Sequence, residues 1–152
     1  MVRVIKVERS EDWKAYMGLR HHVFCVERDV PEALQVDEYD TLSGNCDHFL
    51  ALDGEVPVGA FRCRREDGFV QLQRFCVWKE HRKNGIGRIM LEHARDYYGA
   101  LGFEKICMVA KFSAKPFYER CGCVTTSQVF MEVGLPHVDM ELQLDKQDHF
   151  GL

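Results

Sequence analysis

The residues Arg82-Lys83-Asn84-Gly85-Ile86-Gly87-Arg88 stand between an extended apolar run, Phe69 to Trp78, and a helical pattern that starts near Gly85. A strand that ends in a basic, glycine-rich turn and opens a helix can hold phosphate. The first backbone N–H groups of a helix are unpaired, and the aligned peptide dipoles favour an anion beside them. Gly85 and Gly87 allow the backbone to come close to a ligand and to adopt φ values that a Cβ resists. Arg82, Lys83 and Arg88 add attraction and charge-assisted hydrogen bonds. The same heptapeptide also fits a solvated basic loop that merely starts a helix. It is not a P-loop, because no Gly-Lys-Ser/Thr follows, nor a dinucleotide fingerprint, because Met90 stands where the third glycine would be. The expected ligand therefore carries phosphates without being an obvious nucleoside triphosphate or NAD.

The bulk of the chain narrows the setting. At 152 residues it has the length of one domain, expected over 1–152 with a core of about 2–144. The 20 Lys and Arg against 24 Asp and Glu give a formal charge of −4, so a nucleic-acid partner is not expected. Positive charge is local, at Arg62-Cys63-Arg64-Arg65 and at 82–88. No apolar run is long enough to span a bilayer, and Met1 to Lys6 lacks the apolar core of a signal peptide, so no membrane partner and a cytoplasmic location are expected. Seven scattered cysteines fit reduced thiols better than a disulfide framework. Cys121-Gly122-Cys123 lacks the spacing of a zinc pair, and no metal is expected.

The elements that must position these residues follow from periodicity. Met1 to Val7 reads as a strand, and Ser10-Glu11-Asp12 as the cap of a helix carrying Trp13, Tyr16, Met17, Arg20 and Phe24 on one face. The stretch after Val26 is acidic and irregular. Strands are expected at His48–Leu52, Val58–Arg64 and Phe69–Trp78, with turns at Asp53-Gly54-Glu55 and Glu66-Asp67-Gly68. A helix from Ile86 ends near Gly99 or Gly102, a buried strand covers Lys105–Ala110, and a short helix from Ala114 to Arg120 stops at Gly122. Two strands, about Val124–Glu132 and Val138–Leu144, close the chain before a polar tail, Asp145–Leu152, expected to fray. The order β-α-β-β-β-α-β-α-β-β predicts an α/β (α+β) fold, with a mixed, mostly antiparallel twisted sheet of about seven strands and helices on both faces.

That order resembles the GNAT superfamily of acyl-CoA-dependent N-acyltransferases over roughly residues 2 to 144. The turn Arg82-Lys83-Asn84-Gly85-Ile86-Gly87 resembles the family's pyrophosphate loop, and Pro116-Phe117-Tyr118-Glu119-Arg120-Cys121-Gly122 resembles its tyrosine-bearing segment. Arg20-x-x-Val23-Phe24-x-x-Glu27, Val30-Pro31, Asp37-Glu38, His48 and Gly134-Leu135-Pro136-His137 are similar to the ElaA/YjcF-like branch. Two positions depart from the family pattern. Lys111 stands where many members have a cofactor-holding Asn, and Cys123 replaces the usual Phe after Gly122.

The resemblance implies acetyl transfer from acetyl-CoA to a primary amine, either a small molecule such as an amino sugar phosphate or polyamine, or a protein amine. It implies cofactor contacts at Phe75, Cys76, Val77, Arg82, Lys83, Asn84, Gly85, Ile86, Gly87 and Arg88, with a backbone N–H of the 75–77 segment facing the oxyanion. Tyr118 is the implied general acid, its phenol of pKa about 10 matched to a departing thiolate. Glu27 is the candidate base. Arg20, seven residues earlier and close to two helical turns away, is expected on the same face, either binding substrate or pairing with an acid. His48 and His137 are candidates to line the acceptor site. Arg74, alternating with Phe75, requires an anionic partner, which is substrate or an internal carboxylate. An acyl-Cys76 route is disfavoured, since no His lies near it in sequence. Pairing through the last strands makes a homodimer the assembly to test. The alternatives are an acyl-CoA sensor without turnover and a nucleotide-binding regulator.

Overall fold

A computed structural model describes residues 1–145. The expected tail, Asp145–Leu152, lies almost wholly outside these residues. The strands are β1 (Val2–Lys6), β2 (Cys46–Asp53), β3 (Val56–Arg65), β4 (Phe69–Val77), β5 (Lys105–Lys111), β6 (Val124–Thr125), β7 (Phe130–Glu132) and β8 (Leu135–Gln143). The α-helices are α1 (Ser10–His21), α2 (Glu32–Gln35), α3 (Ile86–Ala100) and α4 (Lys115–Arg120). The result is an open, mostly antiparallel sheet with several helices. It has eight strands because the stretch expected as one strand, Val124–Glu132, is broken into β6 and β7, both of which pair with β8.

The residues group into two compact units. One comprises Met1–Arg65 and Gln73–His93, the other Glu66–Leu72 and the chain from Ala94 onward. In the first unit β1, β2 and β3 are antiparallel neighbours, and the second half of β4 follows β3. The β2–β3 hairpin turns at Gly54 with φ +62°, as the Asp53-Gly54-Glu55 sequence predicts. Its core gathers Val7, Tyr16, Leu19, Val23, Leu50, Leu52, Ala60 and Cys76. In the second unit the first half of β4 runs parallel to β5, from Phe69↔Lys105 to Leu72↔Met108, and β5 is antiparallel to β8. Burial along β5 alternates, with Ile106, Met108 and Ala110 inside, as a strand period of two requires.

Helix ends follow local chemistry, with one correction. Gly102 (φ +90°), not Gly99, caps α3: its N–H reaches the Gly99 carbonyl and that of Phe103 reaches Tyr98. Gly122 (φ +95°) caps α4 in the same way, with Gly122 and Cys123 donating to Glu119 and Tyr118. Ser10 is not a cap but the first residue of α1. The N-cap is Arg9, with no side-chain bond to the helix, and its guanidinium pairs instead with Glu11.

Two features were not expected from periodicity. Beyond His21 the first helix widens into a π-helical segment, His22–Glu27, in which the Arg28 N–H bonds the Val23 carbonyl five residues back. The acidic stretch read as irregular also contains a helical turn, α2.

Candidate functional site

The turn after β4 is built by backbone geometry. Following Val77, a short 3₁₀ turn, Lys79–His81, leads into 82–85, and α3 opens at Ile86. Lys83 (φ +67°) and Gly85 (φ +80°) both take the left-handed conformation, natural for the glycine and costly for the lysine. Lys83, Asn84, Gly85 and Arg88 are exposed while Ile86 and Met90 anchor the helix in the core. A Cβ on Gly59 of β3 would collide with the Met90 Sδ, so the glycine lets this side chain of α3 pack against the strand backbone. That is the packing role of the position where a dinucleotide loop would need glycine.

Arg82 departs from its expected role as a phosphate ligand. Its guanidinium grips Glu27 with two contacts, Nη1–Oε2 at 2.6 Å and Nη2–Oε1 at 2.7 Å, and its Nε donates to the Val77 carbonyl at 2.9 Å. Arg82 is therefore a brace between the end of β4 and the end of the π-helical segment. The positive charge left to the turn is that of Lys83 and Arg88, the latter 62% exposed and only 4.0 Å from Glu92. The same pair weakens the case for Glu27 as a base. The Arg82 hydrogen bond holds its carboxyl below the ordinary range, which stabilises the form that does not take up a proton.

Arg20 and Glu27 do not share a partner or a role. The π segment adds a residue to the turn, so the spacing of seven no longer brings the two onto one stripe. Arg20 is fully buried and uses its whole donor fork. It donates to Asp40 from both Nη atoms (2.6 and 3.1 Å), to the Tyr16 hydroxyl, and to the side chain and carbonyl of Gln35. Arg62 of β3, 1% exposed, grips Asp37 with two 2.7 Å bonds and reaches Asp40 at 2.9 Å. Burial alone would raise the Asp40 carboxyl, but Arg20, the Asp37 amide and the Arg62 charge hold it at about 2. The expectation that Arg20 binds substrate is thus replaced by its stated alternative, an internal acid.

His48 is likewise internal. It is 2% exposed, its Nδ1 accepts from the Tyr16 hydroxyl at 2.7 Å, and its Nε2 faces the Tyr39 carbonyl at 3.1 Å. Since that hydroxyl also accepts from Arg20, the chain Arg20→Tyr16→His48→Tyr39 assigns the imidazole proton to Nε2. Burial lowers the His48 pKa and keeps the ring neutral. Arg74 takes its partners from the same segment: the carbonyls of Gln35 and Leu34, and Asp37 at 3.3 Å. It sits in β4 with φ +53°, a left-handed residue inside a strand, just ahead of Phe75, Cys76 and Val77. Cys76 is buried and its thiol is pushed up to about 12 by burial, which opposes an acyl-cysteine route. Gln35 keeps one unsatisfied buried atom, the side-chain Nε2.

In the second unit Tyr118 is on α4, 8% exposed, with Phe117 packed edge-on at 5.1 Å. His137 of β8 is 7% exposed, bonds the Leu135 carbonyl through Nδ1 and stacks on Phe130. Cys123, in place of the usual Phe, is buried behind the Gly122 cap. Lys111 ends β5 and is exposed.

A family model described as acetyltransferase (GNAT) domain matches residues 14–144. The chain belongs to the GNAT acetyltransferase family. It is 36% identical over 143 residues to the uncharacterized N-acetyltransferase YjcF of Bacillus subtilis, covering 91% of this chain and 98% of YjcF. Among solved structures, a provisionally named N-acetyltransferase from Lactobacillus plantarum matches with a TM-score of 0.87 and 28% identity over 94% of this chain and 98% of that one. Escherichia coli ElaA has the same fold, with a TM-score of 0.80 and 23% identity over 93% and 99% of the two chains. The GNAT chain described here is therefore of the ElaA/YjcF-like kind, as its Arg20 to Glu27 and Gly134 to His137 segments suggest. Among the described residues no helix is long and apolar enough to cross a membrane.

Proposed function

We propose that this GNAT protein transfers an acetyl group from acetyl-CoA to the primary amine of a small molecule or a protein, by direct attack in a ternary complex. The observation that carries the reading is the exposed turn with left-handed Lys83 and Gly85 at the start of a 15-residue helix, following a strand that holds left-handed Arg74. Its amides, with Lys83 and Arg88, fit the diphosphate of coenzyme A. Arg82, Asn84, Ile86 and Gly87 shape that turn rather than supply its charge. A backbone N–H of Phe75, Cys76 or Val77 is the proposed donor to the developing oxyanion, effective because a backbone donor is fixed before reaction.

Alignment of thioester and amine supplies much of the acceleration, several kcal/mol in a near-attack arrangement. Tyr118 is the proposed acid that returns a proton to the thiolate of CoA, a role resting on the Pro116–Gly122 motif. Glu27 acts as a positioning residue through Arg82. Arg74 and the unused Gln35 amide are proposed to face polar groups of the acceptor, with His137 a further candidate contact. Exposed Val129, Met131, Val133 and Leu135 support a homodimer through the β7–β8 region.

Thiol release from acetyl-CoA, followed with amino sugars, polyamines, amino acids and peptides, tests the reading. Turnover with at least one amine, reduced a hundredfold or more in Tyr118→Phe, is the expected result. Tight CoA binding with no thiol release for any amine would replace the enzyme with an acyl-CoA sensor. Equal competition by ATP in a thermal-shift assay would point to a nucleotide regulator.

A further inference from the structure

His21, Cys25 and Glu32 meet at one point outside the network described above. His21 closes α1 and Cys25 lies four residues on, in the π-helical segment, so both side chains emerge on one face. Glu32, the first residue of α2, comes toward them from across the intervening loop. Its Oε2 bonds both the His21 Nδ1, at 2.5 Å, and the Cys25 Sγ, at 3.1 Å, and the three donor atoms all lie within 4.8 Å of one another. An imidazole nitrogen, a thiol sulfur and a carboxylate oxygen thus converge on one point.

We propose that His21, Cys25 and Glu32 form a three-ligand site for zinc(II), with the fourth position taken by water. The donor set selects the metal class. Thiolate and imidazole suit zinc, whereas magnesium and calcium prefer oxygen ligands alone. Tetrahedral zinc with bonds of about 2.0–2.3 Å sets its donors roughly 3.2–3.6 Å apart. The Glu32 distances reach that range if its oxygen withdraws by about an ångström, and the His21–Cys25 separation, which lies within 4.8 Å, is set by rotation of the two side chains. The His21 and Glu32 side chains are 52% and 55% exposed, so this adjustment does not disturb the core. On coordination the Cys25 thiol proton leaves to solvent and the sulfur lone pair forms the Zn–S bond; the His21 Nδ1 proton that now bonds Glu32 is also given up, leaving the neutral Nε2–H tautomer to bind through the Nδ1 lone pair, and the Glu32 carboxylate exchanges its two hydrogen bonds for the metal. The bound ion fastens α2 to the end of α1. Three residues beyond Glu32, Gln35 accepts from both Arg20 and Arg74, so the metal holds the segment that buries those arginines. This site is independent of the acetyl-transfer reading.

The test uses the full chain freed of metal by a chelator. Titration with cobalt(II) should give one equivalent bound, with a thiolate-to-cobalt charge-transfer band and tetrahedral visible bands. Zinc competed against a chromophoric chelator should bind with sub-micromolar affinity. One equivalent of zinc should protect Cys25 from alkylation, read by peptide mass spectrometry on the wild-type chain, which needs no variant to fold. Cys25→Ser should abolish the charge-transfer band, and His21→Gln and Glu32→Gln should weaken zinc at least tenfold, with near-ultraviolet circular dichroism unchanged. A cobalt complex without the thiolate band, protection of a cysteine other than Cys25, or undiminished affinity in Cys25→Ser would overturn the site.

Discussion

Two regions of the first unit use arginine and lysine in opposite ways. In the network around α2, Arg20 and Arg62 are buried and their guanidinium donors are matched to Asp37, Asp40, Gln35, Tyr16 or Gln73. At the start of α3, Lys83, on a turn bent into left-handed conformations, and Arg88, in the first turn of the helix, stand in solvent. Completeness of pairing separates them: a closed network fixes structure, and an open one has donors to offer. Arg82 shows how fine the boundary is, since it belongs to the open turn by sequence and to the closed class by its grip on Glu27.

The contrast breaks most sharply at Asp40. Asp40→Ala leaves two buried guanidinium groups short of charge and should cost about 3–5 kcal/mol in urea unfolding, while CoA affinity of the folded fraction stays the same. Acid offers a gentler form of the same perturbation. Asp40 ordinarily titrates at 3.8 and is held at about 2, so its folded pKa is depressed. Its contribution, about 2 kcal/mol, is present above 3.8 and is lost as pH falls toward 2, with Asp37 shifted in the same direction. Unfolding free energies measured across that window should fall more steeply for the wild type than for Asp40→Asn.

On the open side, Lys83→Glu with Arg88→Glu should weaken CoA about tenfold, near 1.4 kcal/mol by calorimetry, and change stability by less than about 0.5 kcal/mol. A large loss of stability with unchanged CoA affinity would reverse the assignment of the two regions. Glu27→Gln tests the boundary. Releasing Arg82 from its counter-charge should strengthen CoA two- to threefold, about 0.5 kcal/mol, with kcat changed by no more than severalfold. A collapse of kcat at constant KM for CoA would restore Glu27 as the base. The smallest thermodynamic effect is expected at Met131→Lys, within about 0.5 kcal/mol of wild type, because the residue is 66% exposed. Light scattering should nevertheless shift from dimer to monomer if the β7–β8 region pairs.

Much of this could be read in advance where one segment decides its own conformation. The glycine caps at Gly102 and Gly122, the Gly54 hairpin and the alternation of β5 each follow from a local rule about φ or side-chain period. The π-helical widening did not follow, because the same residues satisfy an α pattern, and a single inserted residue moved Glu27 off the Arg20 stripe. The meeting of His21 and Cys25 with Glu32, eleven residues from His21, was not read from the sequence, because it depends on how the loop returns α2 to the end of α1.

The chain by itself determined most of the strands, the glycine caps of α3 and α4, and that a basic glycine turn would open α3, because those outcomes depend on neighbours a few residues apart. Partner choice was decided only by the tertiary structure. Whether Arg20 meets a substrate or Asp40, whether Arg82 faces a ligand or Glu27, and whether His48 is a contact or a buried relay depend on groups 20, 55 and 32 residues away. Desolvation then makes each such pairing all but exclusive, since a buried charge must be matched by whatever the fold brings beside it.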